Sequence, residues 1–228
     1  MKIIPVSFQN NLGLTLRGVV HKPKKYDTAI VFLHGFPGSM FGTAARALNA
    51  ACRLGFLGLR FEFSGTNTSE GKFEDKLMSQ EVRDIKYAID FLEKNYSFKK
   101  LVLVGISTGA IDAALYAHKD RRIDKLILLS GVADLRRGVN YDFSASQVHD
   151  FWTKGYTMVH NPAKWYHKKK IKKAFYDEFF RLDIPKALKK YHRPILIVHG
   201  STDIAVPVLE AHELHRLANR PKKLVIIK

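Results

Sequence analysis

The chain has 228 residues, and its 46% hydrophobic share excludes a disordered protein. This length suits one α/β domain with a sizeable core, so we expect a single domain over residues 1–228. Lys and Arg number 38 against 21 Asp and Glu, and the resulting net charge of +17 could attract nucleic acid or anionic surfaces. The first residues show no apolar run long enough for a signal peptide, and no other stretch approaches a membrane span, so we expect a cytoplasmic protein without membrane contact.

Apolar runs alternate with helical patterns along the chain, which predicts an α/β fold with a mostly parallel sheet of about eight strands flanked by helices. Strands are expected at residues 3–8, 12–20, 29–33, 56–63, 101–106, 126–129, 195–198 and 224–227. Helices are expected at residues 41–54, 80–94, 108–118 and 209–217. The first two strands are predicted to form an antiparallel hairpin.

Residues 135–193 depart from this alternation. The segment is aromatic, basic and irregular, and it shows no strand alternation. An insertion between two core strands usually covers the catalytic edge of an open sheet, so we expect a cap. Its aromatic side chains suit either an apolar substrate group or a small core of the cap itself.

The densest basic run, residues 167–173, lies in this cap. Apolar residues recur at helical spacing behind it, namely Ile171, Phe175, Phe179 and Leu182. The pattern predicts a helix with one apolar and one basic face. No nucleic-acid-binding motif accompanies the charge, so we expect a solvated face and no nucleic acid partner. The lone cysteine, Cys52, is expected to be a small buried helix residue.

The most informative motif is Gly105-Ile106-Ser107-Thr108-Gly109, which directly follows an apolar strand and precedes a helix. A strand that enters Gly-x-Ser-x-Gly and leaves as a helix places the serine hydroxyl on a sharp turn above the sheet edge. Glycines on both sides are needed because side chains there would clash. Ser107 is therefore the candidate nucleophile.

A glycine-rich turn, residues 34–38, follows the strand at residues 29–33 and could aim backbone N–H groups at an oxyanion. Pro37 has no N–H, so Phe36 is the favoured donor. The N–H of Thr108, at the start of a helix, is the second candidate. His34 is expected to hold the loop rather than to act as a base.

Asp203 lies in a loop after the strand at residues 195–198, where a carboxylate could orient an imidazole. The order of serine and then acid suits this fold. The alternative is a helix N-cap or turn residue, which the nearby Pro207 also allows.

Together these motifs resemble the α/β-hydrolase fold, and within it the small cinnamoyl and feruloyl esterases and the serine aminopeptidase-like group. The resemblance spans nearly the whole chain and rests on residues 34–36, 60–65, 69–73, 105–109, 199–203 and 206–207. It implies that Ser107 is the nucleophile and Asp203 the acid, with Phe36 and Thr108 as oxyanion donors. It also implies a small ester substrate, without a cofactor or a metal.

The chain departs from these relatives in two notable places. Relatives usually carry Gly-x-Gly-x-Ser where this chain has residues 65–69. Asparagine tolerates left-handed backbone geometry better than most residues, so the loop is expected to survive the change to Asn67. Their general base is a histidine after the last strand, and residues 224–227 resemble that strand. The histidine and the final helix are therefore expected beyond Lys228, as in a truncated reading frame, with some sheet surface uncovered. His212 and His215 lie in the preceding helix and are disfavoured as bases.

Three hypotheses of function remain after this comparison. The first is a serine carboxylesterase. The second is an aminopeptidase or amidase on the same scaffold, with an acidic residue of the cap binding the substrate amine; the candidates are Asp142, Asp150, Asp177 and Glu178. The third is an inactive hydrolase-like protein that binds a partner.

Overall fold

The structure, a computed structural model, describes all 228 residues. The strands are β1 (Lys2–Gln9), β2 (Thr15–Lys22), β3 (Thr28–Leu33), β4 (Leu57–Phe61), β5 (Lys100–Ile106), β6 (Ile123–Leu129), β7 (Tyr156–Val159), β8 (Lys169–Lys172), β9 (Ile195–Gly200) and β10 (Lys222–Ile227). The helices are α1 (Thr43–Arg53), α2 (Met78–Asn95), α3 (Thr108–Ala117), α4 (Leu135–Asp142), α5 (Ala145–Lys154), α6 (Lys173–Glu178), α7 (Ile184–Leu188) and α8 (Leu209–Leu217). None of these helices combines the length and the apolar character needed to cross a membrane.

The main sheet has 8 strands in the order β1-β2-β4-β3-β5-β6-β9-β10. β1 and β2 form the predicted antiparallel hairpin, and β2 also pairs antiparallel with β4. From β4 to β10 every pairing is parallel, so the carboxyl ends of β3, β5, β6 and β9 share one edge. The predicted mostly parallel α/β sheet is confirmed, and its loops meet at that edge.

The two faces of the sheet are covered unequally. α2, α3 and α8 pack on one face, where most of the buried apolar side chains form the main core. On the other face α1 contacts β2, β3 and β4, and Cys52 is buried in this helix as expected. Beyond α1, a strip over β6, β9 and β10 stays half-buried; it includes Ile127, Leu129, Leu196 and Val198. The expected uncovered apolar surface is this strip.

The cap contains α4 to α7 and the small antiparallel sheet of β7 and β8. Two expectations for this segment are wrong. It does contain strands, and the helix predicted from Ile171 onward begins only at Lys173 because residues 169–172 pair with residues 156–159. Ile171 is buried as the inward residue of a lysine-rich strand, and its four-residue spacing to Phe175 suits a strand that leads into a helix equally well.

Candidate active site

Ser107 lies between the end of β5 and the start of α3, with φ 54° and ψ −125°. This backbone conformation is strained for a residue with a side chain, and such strain is typical of functional turns. The flanking glycines are required by packing. A Cβ on Gly105 would lie 2.0 Å from the carbonyl oxygen of Gly109, and a Cβ on Gly109 would lie 2.5 Å from that of His34. The turn therefore presents Ser107 as its sequence predicts.

The loop after β3 lies directly against this turn. A Cβ on Gly35 would approach the Ser107 Cβ to 2.9 Å, so only glycine allows such close contact. Neither the N–H of Phe36 nor that of Thr108 donates a hydrogen bond within the chain. Two free N–H groups thus flank the turn that carries the Ser107 hydroxyl, an arrangement that can bind a negatively charged oxygen.

Residues at and just after the end of β4 form hydrogen bonds with the loop after β3. The Glu62 carboxylate accepts a hydrogen bond from the Met40 N–H at 2.9 Å, and the Arg60 guanidinium donates to the Met40 carbonyl at 3.0 Å. Asn67 donates to Glu62 at 3.1 Å and has φ 44°, which is the left-handed backbone geometry that asparagine tolerates. Glu62 is fully buried, and this burial raises its pKa to about 7.

His34 also contacts Glu62. We call this set of contacts, made by Arg60, Glu62, Asn67 and His34, the clamp. Its Nδ1 lies 3.0 Å from the Gly35 carbonyl, to which it donates, and its Nε2 lies 3.3 Å from Glu62 Oε2. Burial, with a smaller contribution from the charge of Lys76, lowers the pKa of His34 to about 3. The ring is therefore neutral at physiological pH, and its contacts are those of a residue that holds the loop.

The cap closes over the outer side of this loop. The ring of Phe36 stacks on Phe175 with centroids 4.7 Å apart and on Phe73 at 5.9 Å. The indole Nε1 of Trp165 donates to the Gly38 carbonyl at 3.2 Å. Sequence reasoning did not identify this contact, because Trp165 and Gly38 are far apart in sequence. The cap thus fixes the side chain of one candidate donor and the backbone beside it.

Asp203 lies in the loop after β9 and accepts hydrogen bonds from the N–H groups of Ala205 at 2.9 Å and Val206 at 3.0 Å. Partial burial opposes its ionisation, but these bonds outweigh it, and the pKa lies below the usual value. α8 begins at Leu209 without a side-chain cap, so Asp203 is not its N-cap. The carboxylate is an anion that stabilises its own turn.

His199, at the end of β9, supports this turn. It is buried, its Nε2 donates to the Val206 carbonyl at 2.8 Å, and the same atom lies 3.6 Å from Asp203 Oδ2. Sequence reasoning did not single out His199, although its position at the end of a strand matches that of His34.

No imidazole is hydrogen-bonded to Ser107. The hydroxyl makes no side-chain hydrogen bond within the chain, and the chain has 10 histidines. His212 and His215 lie on α8 as predicted. The pKa of His215 is lowered by burial and by the charge of Lys222, which begins β10 at the opposite edge of the sheet. These contacts assign the role of general base to none of the ten.

Ser107 opens into a cleft of about 470 Å³. The cleft is lined by the loop after β3, the start of α1 and three cap residues, Lys164, Trp165 and Tyr166. Of the predicted site residues, Ser107 and Phe36 line it, and Thr108 is buried behind the turn. Asp203 lies outside its walls. No cluster of His, Cys, Asp or Glu side chains is arranged to hold a metal ion.

The basic run of the cap is largely paired with carboxylates. Lys172 lies 2.5 Å from Asp75, and Lys173 lies 2.5 Å from Asp177. Lys170 lies 3.8 Å from Glu74. The pairs of Lys170 and Lys172 tie β8 to the turn at residues 73–75, the pair of Lys173 lies within α6, and all three reduce the charge that the run presents to solvent.

Comparison with known proteins agrees with this geometry. The model of the family described as serine aminopeptidase, S33, matches residues 24–178. Among solved structures, the Est1E protein of Butyrivibrio proteoclasticus with bound ferulic acid superposes with a TM-score of 0.82 at 23% identity, covering 97% of this chain and 89% of that one. ABHD10 from mouse superposes with a TM-score of 0.77 at 19% identity, covering 99% and 89%. At these identities the superpositions establish the fold.

Curated relatives include the human mitochondrial palmitoyl-protein thioesterase ABHD10, 32% identical over 116 residues. That match covers 49% of this chain and 35% of the relative, so the chain spans only about a third of that protein in the alignment. The AB hydrolase superfamily protein YisY of Bacillus subtilis is 26% identical over 217 residues, covering 82% and 78%. With most of its length matched by the family model and the sheet and nucleophile turn in place, the chain belongs to the serine aminopeptidase S33 family of α/β-hydrolases.

Proposed function

We propose that this chain is a serine hydrolase that cleaves small-molecule carboxylic esters or thioesters through an acyl-enzyme on Ser107. The observation that carries the proposal is the strained Ser107 turn with the free N–H groups of Phe36 and Thr108 beside it. Relatives named as a thioesterase and a protein with bound ferulic acid support acyl transfer. We also propose the cytoplasm as its compartment.

In the first step the Ser107 oxygen attacks the acyl carbon, and the carbonyl electrons move to the oxygen. The N–H groups of Phe36 and Thr108 bind this oxyanion, and losing one such donor costs about 100 to 1,000-fold in rate. The tetrahedral intermediate then expels the alcohol or thiol, which takes up the proton that left Ser107. Water attacks the acyl-enzyme in the same way and releases the acid, which restores Ser107.

The proton of Ser107 passes through an imidazole base in this mechanism, and Asp203 stabilises the charged form of that base. Asp203 is suited to the role because its turn keeps it ionised. No histidine of residues 1–228 is hydrogen-bonded to Ser107, so imidazole added to the buffer tests the step directly.

The first experiment treats the chain with a fluorophosphonate probe and locates the label by mass spectrometry. We expect label on Ser107 of the unmodified chain and none at that position in Ser107→Ala. Ser39→Ala should be labelled on Ser107 to the same extent as the unmodified chain, because Ser39 lines the same cleft without a proposed role. Hydrolysis of p-nitrophenyl butyrate should rise with imidazole concentration in the unmodified chain more steeply than in Ser107→Ala. An unlabelled Ser107 together with equal imidazole dependence would refute the proposal.

The aminopeptidase alternative requires an acidic group in the cleft to bind the substrate amine. The four acidic cap residues lie elsewhere: Asp150 pairs with Lys154, Asp177 pairs with Lys173, Glu178 accepts from the Ser79 N–H, and Asp142 does not line the cleft. This charge distribution favours ester over aminoacyl amide substrates. Faster turnover of an aminoacyl amide than of the matching ester would reverse that preference.

A further inference from the structure

The cleft that contains Ser107 has a one-sided charge distribution. The chain has 21 acidic residues, and none of them lines this cleft. Arg46 and Lys164 do line it, and neither has a carboxylate partner. The guanidinium of Arg46 donates only to the Thr43 hydroxyl, at 3.3 Å. The walls therefore present positive charge without a counter-charge.

A second pocket of about 400 Å³ adjoins this cleft, and the two share Trp165 as a wall. Lys72, Lys168 and Lys169 line the second pocket and form no ion pair. The only acidic residue that lines the second pocket is Glu74, and it forms ion pairs with Lys170 and Lys172. The unpaired positive charge thus continues from the nucleophile past Trp165 into the second pocket.

Cations held together without anions repel each other, and a bound polyanion removes that repulsion. A concave surface of one sign also concentrates its field and raises the local concentration of ligands of the opposite sign. A guanidinium can bind a phosphate or carboxylate with two hydrogen bonds, while lysines contribute compact charges. Each pocket alone is within the usual size range of a small-molecule site, roughly 300 to 1,000 Å³.

We propose that the substrate of Ser107 is an ester or thioester with a polyanionic portion, bound by Arg46 and Lys164 in the cleft and by Lys72, Lys168 and Lys169 beyond Trp165. The inference rests on the proposed function, since it places the scissile bond at Ser107. The shared chemistry of the ligand is a group of several anionic oxygens, either phosphates or carboxylates.

The test measures binding to Ser107→Ala by titration calorimetry, so that no turnover is needed. The probes are coenzyme A, which carries several phosphates on a thiol, citrate, which carries several carboxylates, and the uncharged thiol pantetheine. We expect an anionic probe to bind at least about tenfold more tightly than pantetheine. Its affinity should fall as salt is added, because at 0.1 M salt the interaction between exposed charges more than about 10 Å apart is largely screened. Whichever anion binds more tightly identifies the source of the charge.

A matched pair of double variants separates the site from the overall charge of the chain. Lys168→Gln with Lys169→Gln removes two positive charges beside Trp165. Lys24→Gln with Lys25→Gln removes the same charge from exposed positions just after β2. The first pair of substitutions should lower the affinity for the anionic probe by about tenfold or more, and the second pair by less than about twofold.

Equal weakening by both pairs would reduce the effect to net charge and overturn the inference, as would the absence of binding by either anion. Because binding is measured without the Ser107 hydroxyl, the result does not depend on acyl-enzyme chemistry. Labelled Ser107 without anion binding would overturn only this inference. Anion binding by a chain whose Ser107 stays unlabelled, and whose hydrolysis depends on imidazole no more than that of Ser107→Ala, would overturn only the proposed function.

Discussion

Two strands that lead to the catalytic edge each have a buried histidine beside a carboxylate, one just after the strand and one just before its end, and the two pairs have different roles. At the end of β3, His34 lies 3.3 Å from Glu62; at the end of β9, His199 lies 3.6 Å from Asp203. Each histidine donates to a backbone carbonyl of the loop that follows it. The histidines therefore act alike, and the carboxylates differ.

Burial explains the difference between the carboxylates. Glu62 is inaccessible to solvent, and its pKa rises to about 7. Asp203 keeps 20% of its side chain exposed and has two backbone N–H donors, so its pKa falls below the usual value. Glu62 is a structural carboxyl group that retains its proton up to neutral pH, and Asp203 is ionised at neutral pH. A histidine beside a carboxylate thus gives no indication of function until the solvent exposure of the carboxylate is known.

The largest expected effect distinguishes the two carboxylates by stability. Glu62→Ala leaves the Met40 N–H and the Asn67 amide without their buried acceptor, and we expect a loss of about 3 to 5 kcal/mol in the free energy of unfolding. Asp203→Ala should cost only about 1 kcal/mol, because water reaches its donors. Urea denaturation at pH 6 measures both variants.

Activity should rank the same two variants in the opposite sense. At a temperature where both are folded and with imidazole added to the buffer, Asp203→Ala should reduce ester hydrolysis far more than Glu62→Ala does. Similar losses of stability in the two variants would abolish the proposed distinction between clamp and anion.

A smaller effect concerns pH. Because the pKa of Glu62 is raised from 4.5 to about 7 in the folded state, the folded chain holds a proton in that window that the unfolded chain has lost. The contribution of Glu62 to stability is complete below that window and is lost as the pH rises through it, by about 3 kcal/mol in all. Glu62→Gln removes this titration.

The stability difference between Glu62→Gln and the unmodified chain should therefore shift in favour of the variant from pH 4.5 to pH 8. Thermal or urea unfolding across this range provides the measurement. Parallel stability curves for the two chains would mean that Glu62 is ionised throughout, like Asp203.

The smallest effect tests the histidine of the second pair. His199→Leu removes the donor to the buried Val206 carbonyl, and we expect a loss of about 1 to 2 kcal/mol in the free energy of unfolding. Hydrolysis should fall as well, because the turn that holds Asp203 loosens. The control is His212→Leu on the exposed side of α8, which should stay within about 0.5 kcal/mol of the unmodified chain.

The nucleophile turn was predictable from sequence because most of its causes are local. Gly105 is required by contact with the backbone of Gly109, four residues further on, and the apolar run before it fixes the strand, whereas Gly109 is required by the backbone of the distant loop after β3. The alternation of apolar runs and helical patterns likewise predicted which segments along the chain form the strands of the main sheet. Local patterns of this kind determine the secondary structure of the segment in which they occur.

The cap and the clamp were not predictable in the same way. The helix expected from Ile171 depends on whether residues 169–172 find a partner strand, and that partner is a separate segment. The clamp joins Glu62 at the end of β4 to Met40 and His34 in the loop after β3, and its pKa depends on burial that no spacing reveals. Contacts between distant segments set both features.

The hydrogen bond from Trp165 to Gly38 also makes this molecule a natural optical sensor. The chain has 2 tryptophans, and Trp152 is 67% exposed, so its emission should resemble that of a residue in water. Trp165 is partly buried at the junction of cap and loop. In a Trp152→Phe variant, the wavelength of tryptophan fluorescence should therefore report the environment of the junction between cap and loop, including the arrival of a ligand, without an added label.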